Sequence, residues 1–343
     1  MMGSTVPAST RCFVLESLGY DGLVQSTRPV GRPASGEVLI RMGAASLNYR
    51  DLKILRGTYA RPPQLPIILL SDGAAEVVDI GPGVSQFNVG DRVMPIYMEG
   101  WYSGPWNGRI EAGWRAKGGD VDGVAIELAV CRDADLLPIP DFFSLPEAAC
   151  FPCAGATAWH SLVPAGRFAS GETVLIMGSG GVSVFALQIA TAMGARVIVT
   201  SSSETKLSRM IGMGASAGVN YVLCPDWAEE VRRLTDGVGV DHVIDVGGEQ
   251  TLPQSVRATR DGGHVACVGN LAGRYAAHVP TERGIRVSQI AIGSRQMTED
   301  LVRAFETHRL RPVIDRTFPF AQLKEALAYL ESGSHFGKVV LNF

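Results

Sequence analysis

The chain has little of what would mark it for a membrane, a nucleic acid or the cell exterior. Only 19% of its 343 residues are charged, and 31 Lys and Arg stand against 34 Asp and Glu, a net of −3. That balance offers no basic surface to nucleic acid or anionic lipid. No apolar run reaches the roughly 18 residues of a membrane span, and the opening MMGSTVPASTRC has no apolar core of signal-peptide type. Six cysteines scattered over this length make no disulfide framework. Internal repeats and low-complexity tracts are missing as well. These absences point to a soluble, cytoplasmic protein with no nucleic-acid or membrane partner.

What is present is a large apolar fraction, 46%, enough for a sizeable core and for more than one domain. The first third alternates short strand-like runs (RCFVLE, GEVLIRMGAASL, GAAEVVDIG, VGDRVMPIY) with turns marked by Gly81, Pro82, Gly83, Gly90 and Asp91. This predicts an antiparallel, barrel-like β region. Residues 99–123, rich in Gly and Trp and weakly periodic, read as an excursion from it. From about Leu145 strands alternate with helices: ETVLIMG, VSVFALQIATAMG, ARVIVTS, SETKLSRMIGMG, WAEEVRRLT, VDHVIDVGG, LPQSVRATR, GGHVACVGN. That order implies right-handed βαβ units and a doubly wound parallel sheet, an α/β fold. The tail carries two helical patterns and a closing strand.

The turn in LIMGSGGVS places Gly178, Gly180, Gly181 and Val182 between a strand and a helix. Glycine there lets the backbone approach a pyrophosphate, whose charge suits the positive end of the following helix. A turn required only by sterics is the alternative, but strand, turn, helix and second strand all follow at βαβ spacing. Ser183 occupies the third glycine position, a departure expected to loosen helix–strand packing. In NAD-binding units an acidic residue about 20 positions on holds the ribose hydroxyls. Here the second strand ends in VTSSSETK, with Ser201 at that place and Ser203 and Lys206 close by. Hydroxyls and a cation suit a 2′-phosphate, so the cofactor expected is NADP (NADPH). Ser201 and Ser203 also suit the capping of the next helix.

With these motifs in view, the chain resembles the medium-chain dehydrogenase/reductases from about Arg11 to Phe343. The carriers are GEVLIRMGAASLNYRDL, SDGAAEVVDIGPGVSQFNVGDRV, AGATAW, GSGGVS and the terminal HFGKVVL. The resemblance implies a GroES-like catalytic domain, 1–146 with 294–343, and a Rossmann cofactor domain, 147–293, with the active site in the cleft between them. It also implies a homodimer. Zinc members of the family have a Cys three residues before an Asp, where this chain has Asn48 before Asp51. They have His-Glu where Ser71 and Asp72 stand, and a third Cys that Cys153 does match. The four-cysteine zinc lobe is absent, since Cys131 is the only cysteine between Cys12 and Cys150. One thiol and one carboxylate are a poor tetrahedral set, so no metal is expected. Cys150 and Cys153, though spaced CxxC, read as two buried small residues. The zinc-free quinone and enoyl reductases match better.

The same resemblance implies roles. Asn48 would face the nicotinamide ribose, and Thr157 would pack against the nicotinamide ring; a loop-capping Asn and an ordinary helix Thr are the alternatives. Lys206 and Tyr221, the latter in VNY, would contact the adenosine 2′-phosphate. Val246, Gly247, Val268, Gly269 and Asn270 lie at or just after strand ends, where open α/β sheets bind ligands. Lys338 would reach the cofactor phosphate, or be a solvated charge. Tyr59 would give a proton or hydrogen bond to the enolate left by hydride addition, or simply line the pocket. Asp51 would organise its loop and His160 would be structural. Trp101, Trp106 and Trp114 would shape a pocket or pin the excursion. The expected activity is zinc-independent, NADPH-dependent hydride transfer to an activated C=C in an enone, quinone or enoyl group. Alcohol dehydrogenase or carbonyl reductase chemistry on the same fold is the alternative, and an NADPH-binding sensor or structural protein is the alternative of another class.

Overall fold

The computed structural model describes residues 6–59, 61–105, 113–269 and 283–343. The chain divides into two compact units, Met1–Cys153 with Ser294–Phe343, and Ala154–Gly293. Residues 147–153 therefore belong to the first unit, where the sequence had suggested the second.

The first unit is built on a seven-stranded sheet whose centre is Glu37–Ser46. This strand pairs antiparallel with Asp72–Ile80, Leu128–Arg132 and Lys338–Asn342. With partners on both edges it is buried along most of its length, and it reads EVLIRMGAAS rather than alternating cleanly with polar residues. Lys338–Asn342 runs parallel to Ile314–Pro319. The sequence pattern had announced only the closing strand of this pair. Ser9–Leu15 centres a smaller sheet with Leu23–Pro29 and Ile67–Ile68. The core between and beside these sheets gathers Leu15, Leu23, Ile40, Leu52, Leu55, Val77, Leu327 and Leu341, so residues from both ends of the chain share it.

Within the 99–123 excursion, Met98–Glu99 pairs with Arg115–Ala116. The Trp101 ring, 1% exposed, stacks on Trp114 at 5.3 Å. The Trp101 carbonyl accepts from Arg295 N at 3.0 Å. Trp101 and Trp114 thus pin the excursion to its own unit. Trp106 lies outside the described residues.

In the second unit six strands form one parallel sheet in the spatial order Ala217–Asn220, Arg196–Ser201, Thr173–Met177, Val240–Asp245, Thr259–Cys267, Arg286–Gln289. Counted along the unit this is 3-2-1-4-5-6, the dinucleotide-binding order. Helices cover the strands, and VLIM within Thr173–Met177 is buried throughout, as a parallel strand requires. The two outer strands are four residues each. Leu175, Ile198, Trp227, Val231, Val243 and Val265 form the core on one face. Among the described residues no helix is long and apolar enough to cross a membrane.

Candidate active site

The order of the parallel sheet reverses between Thr173–Met177 and Val240–Asp245. Of the predicted cofactor residues, Gly178, Ser201, Val246, Gly247, Val268 and Gly269 lie at or just after the carboxyl ends of the sheet's strands, whereas Asn48 and Lys338 belong to the first unit. Gly178 follows the first strand with φ +74°, a conformation that favours glycine. Gly180 is the N-cap of the helix Gly181–Ala192, with no side chain capping it. The N–H groups that open this twelve-residue helix, Gly181 and Val182 among them, have no intrahelical acceptor, a geometry suited to an anion. Ser183 does not loosen this turn. Its hydroxyl donates to Met177 O at 2.6 Å and ties the helix back to the strand.

Ser201 ends the second strand beside Asn220, and Tyr221 N donates to Ser201 O at 3.2 Å. Ser201 Oγ accepts from Ser203 N at 3.2 Å, and Ser203 Oγ accepts from Lys206 N at 3.4 Å. Ser203 thus caps the helix Glu204–Gly212. Ser201, Ser203, Lys206 and the 41% exposed Tyr221 share one end of the sheet. Across the reversal point stands a residue the sequence reading missed. Asp245, fully buried, accepts from Gly247 N at 2.8 Å, Thr251 Oγ1 at 2.7 Å and Ser255 Oγ at 2.7 Å. Its carbonyl accepts from Val268 N at 2.8 Å. Asp245 therefore fixes the loops that carry Val246, Gly247, Val268 and Gly269. Gly269 has no room for a side chain, since a Cβ would lie 2.1 Å from Val246 O. Asn270 lies outside the described residues. An Asp at a strand end followed by hydroxyls at Thr251 and Ser255 is the signal that could have revealed this arrangement. Thr157 is buried on the helix Ala156–Leu162. His160, on the same helix, bonds through Nδ1 to Ile292 O, and burial lowers its pKa. It is structural, as expected.

The first unit holds a second polar cluster, which is buried. Asn48 N donates to Asp51 Oδ2 at 2.8 Å, so Asp51 does organise its loop. Burial pushes the Asp51 carboxyl up to about 6 against the pull of Arg50. Lys338, 2% exposed, donates through Nζ to Asn48 Oδ1 at 2.6 Å and to Leu47 O at 2.7 Å. Its ammonium lies 4.0 Å from Asp72 Oδ2. It is no solvated charge. Asp72, fully buried, also accepts from Ser71 Oγ at 2.8 Å and from Cys153 N at 3.0 Å. Burial raises its pKa, opposed by Lys338, Asn48 and Ser71. Tyr59 OH and Tyr97 OH are 3.3 Å apart, and the Arg50 guanidinium lies 5.1 Å and 4.8 Å from their ring centres. Arg50 and Tyr97 had not been singled out from the sequence.

These residues do not suit zinc. Asn48 and Ser71 are weak donors, the Asp72 carboxylate is already engaged, and the Lys338 amine already lies against Asn48 and near Asp72. Burial also raises the Cys153 thiol pKa, which opposes the thiolate a metal needs. Neither Cys150 nor Cys153 is in a disulfide, and burial pushes Cys150 up to about 12. Neither is primed for redox chemistry. The glycine turn, by contrast, fits a dinucleotide.

The sheet order and the glycine turn are those of a dinucleotide-binding domain, and the comparisons with known proteins make the chain an NAD(P)-dependent oxidoreductase. Residues 34–141 match the family described as alcohol dehydrogenase GroES-like domain, and residues 181–307 that described as zinc-binding dehydrogenase. A zinc-type alcohol dehydrogenase-like protein of Schizosaccharomyces pombe is 40% identical, over 95% of this chain and 96% of its own. An acryloyl-coenzyme A reductase of Metallosphaera sedula is 30% identical, over 90% and 93%. The crystal structure of a putative alcohol dehydrogenase from Sinorhizobium meliloti superposes with a TM-score of 0.92 at 36% identity, over 99% and 100%. The chain belongs to the medium-chain dehydrogenase/reductase superfamily.

Proposed function

We propose that the protein is a zinc-independent, NADPH-dependent reductase of activated C=C bonds in enones, quinones or enoyl thioesters. The observation that carries this reading is the Lys338 ammonium bonded to Asn48 Oδ1 at 2.6 Å, amid residues that do not suit zinc. A Lewis acid at the oxygen assists hydride transfer to or from an isolated carbonyl carbon. A conjugated acceptor demands less, because hydride adds at the far carbon and the charge spreads over an enolate. The acryloyl-coenzyme A reductase relative supports this choice of substrate.

The bound nicotinamide would supply the hydride. Gly178, Gly180, Gly181 and Val182 would hold its pyrophosphate, and Ser201, Ser203, Lys206 and Tyr221 the 2′-phosphate. Thr157, Val246, Gly247, Val268 and Gly269 would line the remainder, with Asn270 beyond the described residues. Asn48, oriented by Lys338, would hydrogen-bond the nicotinamide ribose. Tyr59 would donate the proton that the α-carbon takes. The reading includes a homodimer, as the resemblance implies, and a cytoplasmic location, as the composition suggests.

Reduction of a C=O group is the second reading, favoured by the names of the Schizosaccharomyces pombe relative and the Sinorhizobium meliloti structure. The test of the first is turnover of NADPH with methyl vinyl ketone by protein stripped with a chelator. Turnover that survives stripping, and falls about a hundredfold in Tyr59→Phe, is the expected result. Loss on stripping that zinc restores would contradict it.

A further inference from the structure

Arg50 is a buried cation, 8% exposed, on the short helix Tyr49–Leu55. Its Nη1 donates to Lys117 O at 3.0 Å and reaches Asp51 Oδ1 at 3.4 Å. Its Nε and Nη2 have no hydrogen-bond acceptor among the described residues. Leaving two N–H groups of a buried charge unpaired is costly, and native structures seldom do so without a use.

The two tyrosines explain the charge but not the donors. Ring centres at 5.1 Å from Tyr59 and 4.8 Å from Tyr97 stabilise a guanidinium by cation–π attraction. Cation–π attraction acts on the charge and supplies no conventional oxygen acceptor in the guanidinium plane. Nε and Nη2 form one edge of that plane, a two-pronged fork suited to an oxygen anion. Gly119 packs closely against this edge, since a Cβ there would sit 2.7 Å from Nη2. Burial works against the charge, but Tyr97, Tyr59 and Asp51 outweigh it and hold Arg50 above its usual range. The cluster is not sealed, because Tyr59 is half-buried.

We propose that Arg50, flanked by Tyr59 and Tyr97, is an oxyanion-binding catalytic residue whose Nε and Nη2 donate to the carbonyl oxygen of the acceptor as it becomes negative. This rests on the proposed reduction of a conjugated carbonyl. Hydride from the nicotinamide, which is oxidised, forms a C–H bond at the β-carbon. The C=C pair shifts toward the α-carbon and carbonyl, and the carbonyl π pair moves onto oxygen, where Arg50 receives it. The enolate then re-forms C=O as its α-carbon takes the Tyr59 proton, which solvent replaces. Preorganised donors at such an oxygen are worth roughly 10²–10³ in rate.

The test uses 4-nitrophenol, whose phenolate is a stable, coloured oxyanion, with NADP present and the pH scanned across neutrality. The wild-type protein is expected to bind the phenolate and lower the probe's ionisation midpoint by about one pH unit, a tenfold preference. Arg50→Gln is expected to abolish that shift. Arg50→Lys, which keeps the charge but loses the fork, is expected to retain less than half of it, and decides the matter if Arg50→Gln does not fold. No shift in the wild type, or an equal shift in the variants, overturns the proposal. Enone turnover by the wild type is read in parallel. A probe shift without enone turnover would sink the reductase reading and leave the oxyanion site standing.

Discussion

The Nζ of Lys338 donates to Asn48 Oδ1 at 2.6 Å, joining two residues 290 positions apart. The contact ties the closing strand to the loop after the central strand of the same sheet. It also places a cation 4.0 Å from the buried Asp72 carboxylate. Removing one partner of such a buried pair leaves the other uncompensated, which costs about 3–5 kcal/mol. Lys338→Met is therefore expected to lower the urea midpoint of unfolding markedly. Adding Asp72→Asn should recover part of the loss, since the carboxylate no longer needs a partner. A double variant as unstable as the sum of the singles would show that the two groups do not interact.

Asp51 makes stability depend on pH. Its folded pKa of about 6 lies above the ordinary carboxylate value, so the folded chain binds the proton more tightly than the unfolded chain does. The resulting stabilisation is complete below about pH 4 and is lost as pH rises through about 6. Wild type and Asp51→Asn, compared by urea unfolding, should differ by an amount that changes by roughly 3 kcal/mol across that window and is flat above it. A constant difference at all pH values would contradict the assignment.

Cofactor choice turns on Ser201. An acid at this strand end would accept ribose hydroxyls and repel a 2′-phosphate. Ser201→Asp is expected to weaken NADPH roughly ten- to a hundredfold, the worth of a charge-assisted contact, with NADH gaining relative to it. Fluorescence titration with each reduced dinucleotide measures both. Equal losses for the two would mean that Ser201 only caps its helix.

The features legible in the sequence are those fixed by local spacing. The glycine turn, the helix that follows it and the Ser201–Ser203 cap all lie within one βαβ stretch, so their residue types announced them. The strands Ala217–Asn220 and Arg286–Gln289, four residues each, were too short and too mixed to stand out. Lys338 near the end of the chain could be read only as a solvated charge or a phosphate contact, because nothing local ties it to Asn48. Arg50 escaped notice for a related reason. Arginine is mostly exposed, and only the packing of Tyr59, Tyr97 and Gly119 around it keeps this one buried. Asp245 differs, since its hydroxyl partners Thr251 and Ser255 lie only 6 and 10 positions on and the pattern could have been read.

The measurement that bears most directly on the account is the destination of the hydride. The protein would be incubated with NADPH deuterated at the transferable position and a simple α,β-unsaturated ketone, and the product examined by NMR. Deuterium on the β-carbon of a saturated ketone is the result expected of a metal-independent double-bond reductase. Deuterium on the carbinol carbon would contradict that account and assign the protein to carbonyl reduction.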